Sequence, residues 1–398
     1  MPDSQGTSPL RPTEVGAVQE IVSAASSPLC IVAGGTKTML GRAVEAGTTV
    51  DMTGLSGIVD YEPGELILVA RPGTPLAEVE QLLAAQGQHL AFEPPHWGPT
   101  ATLGGTVACG LSGPRRFKAG ALRDFVLGVQ IVNGQGGCVR AGGRVVKNVT
   151  GFDLPRVLAG SFGTLGIVTE ICLKLWPKPE QEQTLVFHGQ TPPVALKTLL
   201  QCARLPFEVT GLAYWPQSPG QPARTLVRVE GAEQAVVRQV TALRETAGLA
   251  GSASQVEVFV GETSAIEWSR VREYPVEFDG DGQLWRFSVP PASAGELIDA
   301  LEGVHLEGYL VDWAGGLVWA RLPVATAPAD LHSIAVGHGG LAWRLATAAD
   351  DPNRDAFTPM NPVLANLNRK LKASMDPRGL LNPGRMAQTV SPTAAPIQ

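Results

Sequence analysis

The chain has 398 residues, 44% hydrophobic and 17% charged, with a formal charge of −6. That length exceeds one hydrophobic core, so two domains, or one domain with a large insertion, are expected, and the apolar content excludes general disorder. The acidic balance leaves no basic face to neutralise a phosphate backbone, which excludes nucleic acid and points to small molecules or proteins as partners.

Residues 1–8 read as a disordered tail. Val15, Val18, Ile21 and Val22 recur at helical spacing, and Pro28 closes that helix. A strand at Leu29 to Ala33, a glycine loop and a strand around Thr49 to Met52 complete a compact start. Between Leu66 and Pro177 short strands (Leu66 to Ala70, Phe125 to Val132, Ile167 to Leu175) alternate with many glycines, as expected where backbone is held close to something. After Trp176-Pro177-Lys178-Pro179 two segments parse alike as β-α-β-β-α-β. The first has strands near 184–188, 208–215, 225–230 and 255–260, with helices near 193–204 and 232–247. The second has strands near 283–289, 306–313, 316–322 and 341–347, with helices near 293–302 and 329–337. The repeated pattern predicts two ferredoxin-like halves side by side. Glu262 to Pro275 between them is expected to be helical, and a polar helix begins at Asn361.

The five cysteines are scattered with no C-x-x-C pair, which gives no zinc site and no iron–sulfur cluster from this chain alone and suits thiols in a reducing compartment. The first residues lack a basic n-region and an apolar h-region, and no run of about 18 apolar residues occurs, so a cytoplasmic protein is expected.

The loop "VAGGTKTMLG" offers a Lys-Thr pair, but a nucleoside-triphosphate loop needs glycines where Ile31 and Thr36 stand. Adjacent Gly34 and Gly35 also fail the dinucleotide pattern, and Gly134-Gln135-Gly136-Gly137 reads as a hairpin turn. What remains is either an ordinary turn or a nest of N–H groups for anionic oxygen. Two further clusters, "PTATLGGTVACGLSG" and "GSFGTLGIVTE", strip the backbone of side chains and supply Thr hydroxyls. Such a series suits an extended, phosphate-bearing cofactor.

The order "VAGGTKTMLG", "ATLGGTVACGLSGPRR", "ALRDFVLGVQIVNGQG", "GGRVVKNVTGFDLPRVLAGSFGTLGIVTEICLKLWPKP" and "LLNPGRM" resembles flavoproteins of the vanillyl-alcohol-oxidase type. Within them it is most similar to the FAD-binding subunits of bacterial glycolate oxidases, over residues 9–180 and again near 376–386. The resemblance implies an α+β fold: a two-subdomain PCMH-type FAD-binding domain over 9–180, an inserted ferredoxin-like antiparallel-sheet cap over 181–350, and a C-terminal return over 351–398. It implies that Gly34, Gly35, Thr36, Lys37 and Thr38 wrap the pyrophosphate. Thr102, Gly104, Gly105 and Gly113 would line the flavin and its ribityl chain. Gly163, Gly166, Ile167 and Val168 would line the adenine side or the ring system, and Asn382 to Arg385 would close the site. Relatives that attach flavin covalently carry His in the glycine loop, sometimes with a Cys near the second cluster. Thr36 and Lys37 stand there instead, so noncovalent FAD is expected. Cys109 reads as a small core residue.

Related 2-hydroxy-acid oxidising enzymes place a histidine cluster and an acid in the cap or C-terminal region. The six histidines here show no facing pair. His338 is weighed as a base or ligand against a surface histidine, and His96 as a flavin neighbour against a loop role. Arg115, Arg116, Arg272 and Arg286 are weighed as carboxylate holders against salt-bridge residues. Arg272, His96 and His338 are the catalytic candidates. Three functions follow. The first is an FAD subunit relaying electrons from oxidation of a 2-hydroxy acid, glycolate or D-lactate, on a catalytic flavin subunit toward an iron–sulfur subunit and quinone, with membrane contact only through partners. The others are a self-sufficient FAD-dependent dehydrogenase and a flavin-free scaffold.

Overall fold

The helix Val15–Ala24 buries Val18 and Val22 on one stripe, against a two-stranded parallel pair formed by Leu29–Val32 and Thr48–Asp51. The C-terminal return adds to this pair: the Leu29 N–H donates to the Leu380 carbonyl at 2.8 Å and the Asn382 N–H to the Leu29 carbonyl at 3.1 Å. Leu380 and Leu381 thereby enter the N-terminal core. The computed structural model describes residues 8–144, 153–246, 255–277, 282–345 and 355–386. The expected N-terminal tail lies, but for residue 8, outside them, as does the 145–152 part of the fourth quoted motif.

A five-stranded antiparallel sheet follows, in the order Ile58–Glu62, Ile67–Ala70, Ile167–Lys174, Val126–Val132, Cys138–Gly142. Its inner face packs with the helices Leu76–Ala84 and Leu103–Cys109 around Leu68, Leu103, Val107 and Ile131. The Gly134 to Gly137 stretch turns the hairpin as expected, with Asn133 Oδ1 accepting the Gln135 and Gly137 N–H groups.

The remainder builds an eight-stranded antiparallel sheet, ordered 255–260, 181–188, 224–231, 209–215, 308–312, 317–322, 283–288, 341–344. Each half runs 4-1-3-2 in its own strand order, the ferredoxin-like arrangement, and the halves meet where Tyr214 pairs Val311. Period-two alternation decides the two faces. Leu185, Phe187, Trp285 and Phe287 point to the helices Pro192–Cys202, Glu233–Glu245, Ala294–Glu302 and Pro328–Gly337. Val186, Leu284, Trp319 and Trp343 point the other way, toward the glycine-rich region. The connecting helix Glu262–Glu277 sits on that second face, where Trp268 fits under Gly211, whose missing Cβ would lie 2.7 Å from the indole. The final helix, Pro362–Met375, is capped by Asn361. Among the described residues no helix is long and apolar enough to cross a membrane.

Candidate functional site

The first strand delivers its chain straight into Gly34 and Gly35. A Cβ on Gly34 would lie 1.6 Å from the Thr100 carbonyl oxygen, so only glycine lets the second cluster cross there. Gly35 has φ +74° and faces open space. The backbone N–H groups of Gly34, Gly35, Thr36, Lys37 and Thr38 meet no acceptor among the described residues. Consecutive unpaired amides at the mouth of a cleft are the donor set that phosphate oxygens need.

That cleft, about 750 Å³ counting its open mouth, is lined by Cys30 to Thr38, by Thr102, Gly105, Ala108 and Cys109, and by Phe162, Asn382 and Arg385. Lys37 is buried there; its Nζ donates to the His96 carbonyl at 3.0 Å and to Thr36 Oγ1 at 3.3 Å. Burial pulls its pKa down, opposed by Cys109 and Glu273. Burial likewise pushes the Cys109 thiol up to about 11. Asn382 closes the inner end, accepting the Ile31 N–H at 2.8 Å and donating to the Phe162 carbonyl at 2.8 Å. Arg385 donates to the Arg42 and Thr38 carbonyls and so fastens the C-terminal turn over the glycine loop.

Of the expected cofactor residues, Gly34 to Thr38, Thr102, Gly105 and Asn382 line this cleft. Thr102 caps the helix Leu103–Cys109 by accepting the Gly105 N–H at 3.2 Å. Gly104 lies against Pro72, whose Cβ would be 2.5 Å from an added methyl, and a methyl added at Gly113 would lie 2.2 Å from the Glu93 carbonyl oxygen. Gly163 borders Asn382 and Gly166 borders Ile131. Ile167 is buried in the strand beyond, and Val168 is partly buried on its other face.

The catalytic candidates do not form one site: the His96 backbone and Arg272 meet at Glu273, and His338 lies apart. His96 bonds Glu80 at 2.9 Å, and its backbone N–H reaches the Glu273 carboxylate, to which Arg272 Nε also donates at 2.8 Å. His338 ends the helix Pro328–Gly337 with Nδ1 against the Ile334 carbonyl, on the far face of the eight-stranded sheet. Arg115 joins a network that sequence spacing did not show. It contacts Glu93 at 2.9 Å, Glu230 at 2.6 Å and Glu182 at 3.1 Å, while Arg228 holds Glu93 through both oxygens. Burial alone would raise Glu93, but Arg115 and Arg228 outweigh it and hold the carboxyl down to about 2. This network clamps the sheet to the glycine-rich region. Its sequence signal was Arg228 and Glu230 two apart on an inward strand face.

Among the described residues, Glu93 (51°), Trp97 (53°), Phe162 (52°), Trp313 (52°), Ala314 (58°) and Asn382 (42°) carry positive φ along this seam without being glycine. Such backbone persists only where surrounding contacts over-determine it, and it gathers at functional sites.

The cleft fits FAD: unpaired amides for its phosphates, side-chain-free backbone at Gly35 and Gly105, and an apolar inner wall at Phe162. The FAD binding domain family matches residues 9–142. The glycolate oxidase subunit GlcE of Escherichia coli is 39% identical over 90% of this chain and 93% of its own length. The glycolate oxidase subunit GlcD of Bacillus subtilis is 32% identical over 47% of this chain and 39% of its own. A D-lactate dehydrogenase of Archaeoglobus fulgidus is 23% identical over 96% of this chain and 90% of its own. The fold is shared with a solved alkyldihydroxyacetonephosphate synthase at TM-score 0.67 and 18% identity, over 94% of this chain and 76% of that one. On the nearly full-length match, the chain belongs to the glycolate oxidase subunit GlcE family of FAD-linked oxidoreductases.

Proposed function

We propose that this chain is the noncovalent FAD-binding subunit of a multi-subunit 2-hydroxy-acid oxidase acting on glycolate or D-lactate. In this reading a catalytic flavin subunit oxidises the acid, and electrons pass by way of this subunit toward an iron–sulfur subunit and quinone. The division into 9–180, 181–350 and 351–398 belongs to the same reading.

One observation carries it. The cleft has what FAD needs to be held, yet the ionisable side chains lining it among the described residues are Lys37, Arg385, Cys30 and Cys109. Two are cations, and burial raises both thiols. Oxidising a 2-hydroxy acid requires a base for the hydroxyl proton, and no carboxylate or imidazole stands in the lining. When bound, FAD supplies the two-electron chemistry. The chain's own residues hold it: amides 34–38 meet the phosphates, Lys37 and Arg385 place positive charge beside them, and Asn382 fixes the first strand against the Phe162 turn. Lys37 stands beside Thr36 where covalent relatives carry a linking His, and its ammonium is engaged with the His96 carbonyl.

The test is purification of the affinity-tagged chain from cells that make it at native level. A yellow complex containing an iron–sulfur protein and a second flavin chain is expected. A flavin-bearing chain that runs alone at all loading concentrations would overturn the reading.

A further inference from the structure

The segment Pro94-Pro95-His96-Trp97-Gly98-Pro99 abuts the glycine loop. A Cβ added at Gly98 would meet the Thr36 methyl at 3.1 Å, and the His96 carbonyl accepts Lys37 Nζ at 3.0 Å. The segment can do little to hold its own shape. Its three prolines have no N–H to give, and Trp97 stands at φ 53°, a strained conformation for a bulky residue.

What holds it comes from the helix Glu262–Glu277 over the eight-stranded sheet. Glu273 of that helix accepts the His96 N–H at 3.0 Å and the Trp97 N–H at 2.8 Å, so one carboxylate takes two consecutive amides. Arg272 Nε braces the same carboxylate at 2.8 Å. The His96 ring bonds Glu80 at 2.9 Å, which fixes that residue through both its backbone and its side chain.

The contacts then lead from the His96 peptide to Lys37 and the cleft. Lys37 is buried in the cleft lining, with Nζ also donating to Thr36 Oγ1 at 3.3 Å and lying 6.0 Å from the Trp97 ring. Burial pulls its ammonium down, while Cys109, from the helix Leu103–Cys109, and Glu273 oppose that; Cys30 and Arg385 line the same cleft. The Cys109 thiol, pushed up to about 11 by burial, carries no charge at neutral pH. Of the two opposing groups, Glu273 is therefore the one whose negative charge favours the ammonium.

We propose that Glu273 is a positioning residue for the flavin: a carboxylate outside the cleft that sets the 94–99 segment, and through it aims Lys37 and keeps it cationic where the cofactor phosphates bind. This role rests on noncovalent FAD in the cleft.

Titration of the full-length apoprotein with FAD, read by quenching of flavin fluorescence from about pH 6 to about pH 9.5, tests it. Parent affinity is expected to fall as pH rises through the lowered Lys37 pKa, because a neutral amine no longer attracts phosphate. Lys37→Met should bind more weakly and evenly across that interval. Glu273→Gln should weaken FAD by about tenfold at neutral pH and move the fall to lower pH. Glu273→Asp keeps the charge, so its fall should stay at the parent's pH even where its affinity is lower. Parent affinity independent of pH, a Glu273→Gln loss by one constant factor at every pH, or a fall that moves as far in Glu273→Asp as in Glu273→Gln would overturn the assignment. A parent from which FAD cannot be stripped would overturn noncovalent binding and this role together, which sets that failure apart from one confined to Glu273.

Discussion

Asn382 accepts the Ile31 N–H through Oδ1 at 2.8 Å, a bond between residues 351 positions apart. Its Nδ2 reaches the Phe162 carbonyl, so one amide ties together the first strand, the third glycine cluster and the C-terminal return. Asn382→Ala leaves both backbone groups unpaired in a buried place and should lower unfolding stability by about 1–3 kcal/mol. Flavin retention should fall with it. Chemical denaturation alongside the ratio of visible to ultraviolet absorbance measures both, and unchanged values would show that the amide is dispensable.

Gly35→Val should empty the cleft without unfolding the chain. None of the described residues opposes a Cβ there, but φ +74° is a conformation that β-branched residues avoid, and the added methyls would project into the cleft. Gly105→Val should act in the same direction from the opposite wall, where a Cβ already meets Thr102 Oγ1 at 3.2 Å. Circular dichroism should match the parent in both while bound flavin drops several-fold. Full flavin content in both variants would make these glycines ordinary turn and helix positions.

The Glu93 network sets an acid limit. With its folded pKa held near 2 against an ordinary 4.5, Glu93 contributes stability that is present above about pH 4.5 and is lost as pH falls toward 2. Glu93→Gln leaves Arg115 and Arg228 short of a buried counter-charge and should destabilise the chain at neutral pH by about 3–5 kcal/mol. The difference between variant and parent should shrink below pH 4.5. A difference independent of pH would mean that the carboxylate charge is not what the arginines require.

Asp312 runs in the opposite direction. Burial pushes its carboxyl up to about 7, partly offset by the Trp313 N–H. A raised carboxyl pKa means that stability declines as pH rises from the ordinary 3.8 through about 7. Asp312→Asn should therefore flatten the stability profile over that interval and melt higher than the parent at pH 8. A profile identical to the parent would remove Asp312 from the titrating groups.

The repeated sheet was legible because alternation is strict where one face is buried by helices and the other by the glycine-rich region: Leu185, Val186 and Phe187 alternate cores, and Leu284 and Trp285 do likewise, with Phe287 back in the core of Trp285. The strand Ile58–Glu62 was not, because Asp60 and Glu62 break the apolar pattern of an edge strand whose outer side meets water. Glycine runs announced close backbone approach but not what approaches. At Gly35 it is the open cleft, whereas at Gly104 it is Pro72 and at Gly113 it is Glu93. The pairing of Arg115 with Glu230, 115 residues apart, and of Arg286 with three tryptophans depends on strand order, which no local spacing encodes.

Acid precipitation separates the two modes of flavin attachment. With Lys37 engaged by the His96 carbonyl and the Cys109 thiol raised to about 11, no group of the loop is prepared for a covalent link. All the yellow colour should pass to the supernatant as free FAD. Colour retained in the washed pellet would contradict noncovalent binding.

The most direct measurement is anaerobic mixing of the flavin-loaded isolated chain with excess glycolate, and separately D-lactate, followed by visible absorbance. Among the described residues the cleft lining holds cations and raised thiols but no carboxylate or imidazole to take the hydroxyl proton, so the flavin should stay oxidised until the other subunits of the complex are added, and then bleach. Rapid bleaching by either acid with the isolated chain would contradict the partner-dependent reading and make this chain a dehydrogenase in its own right.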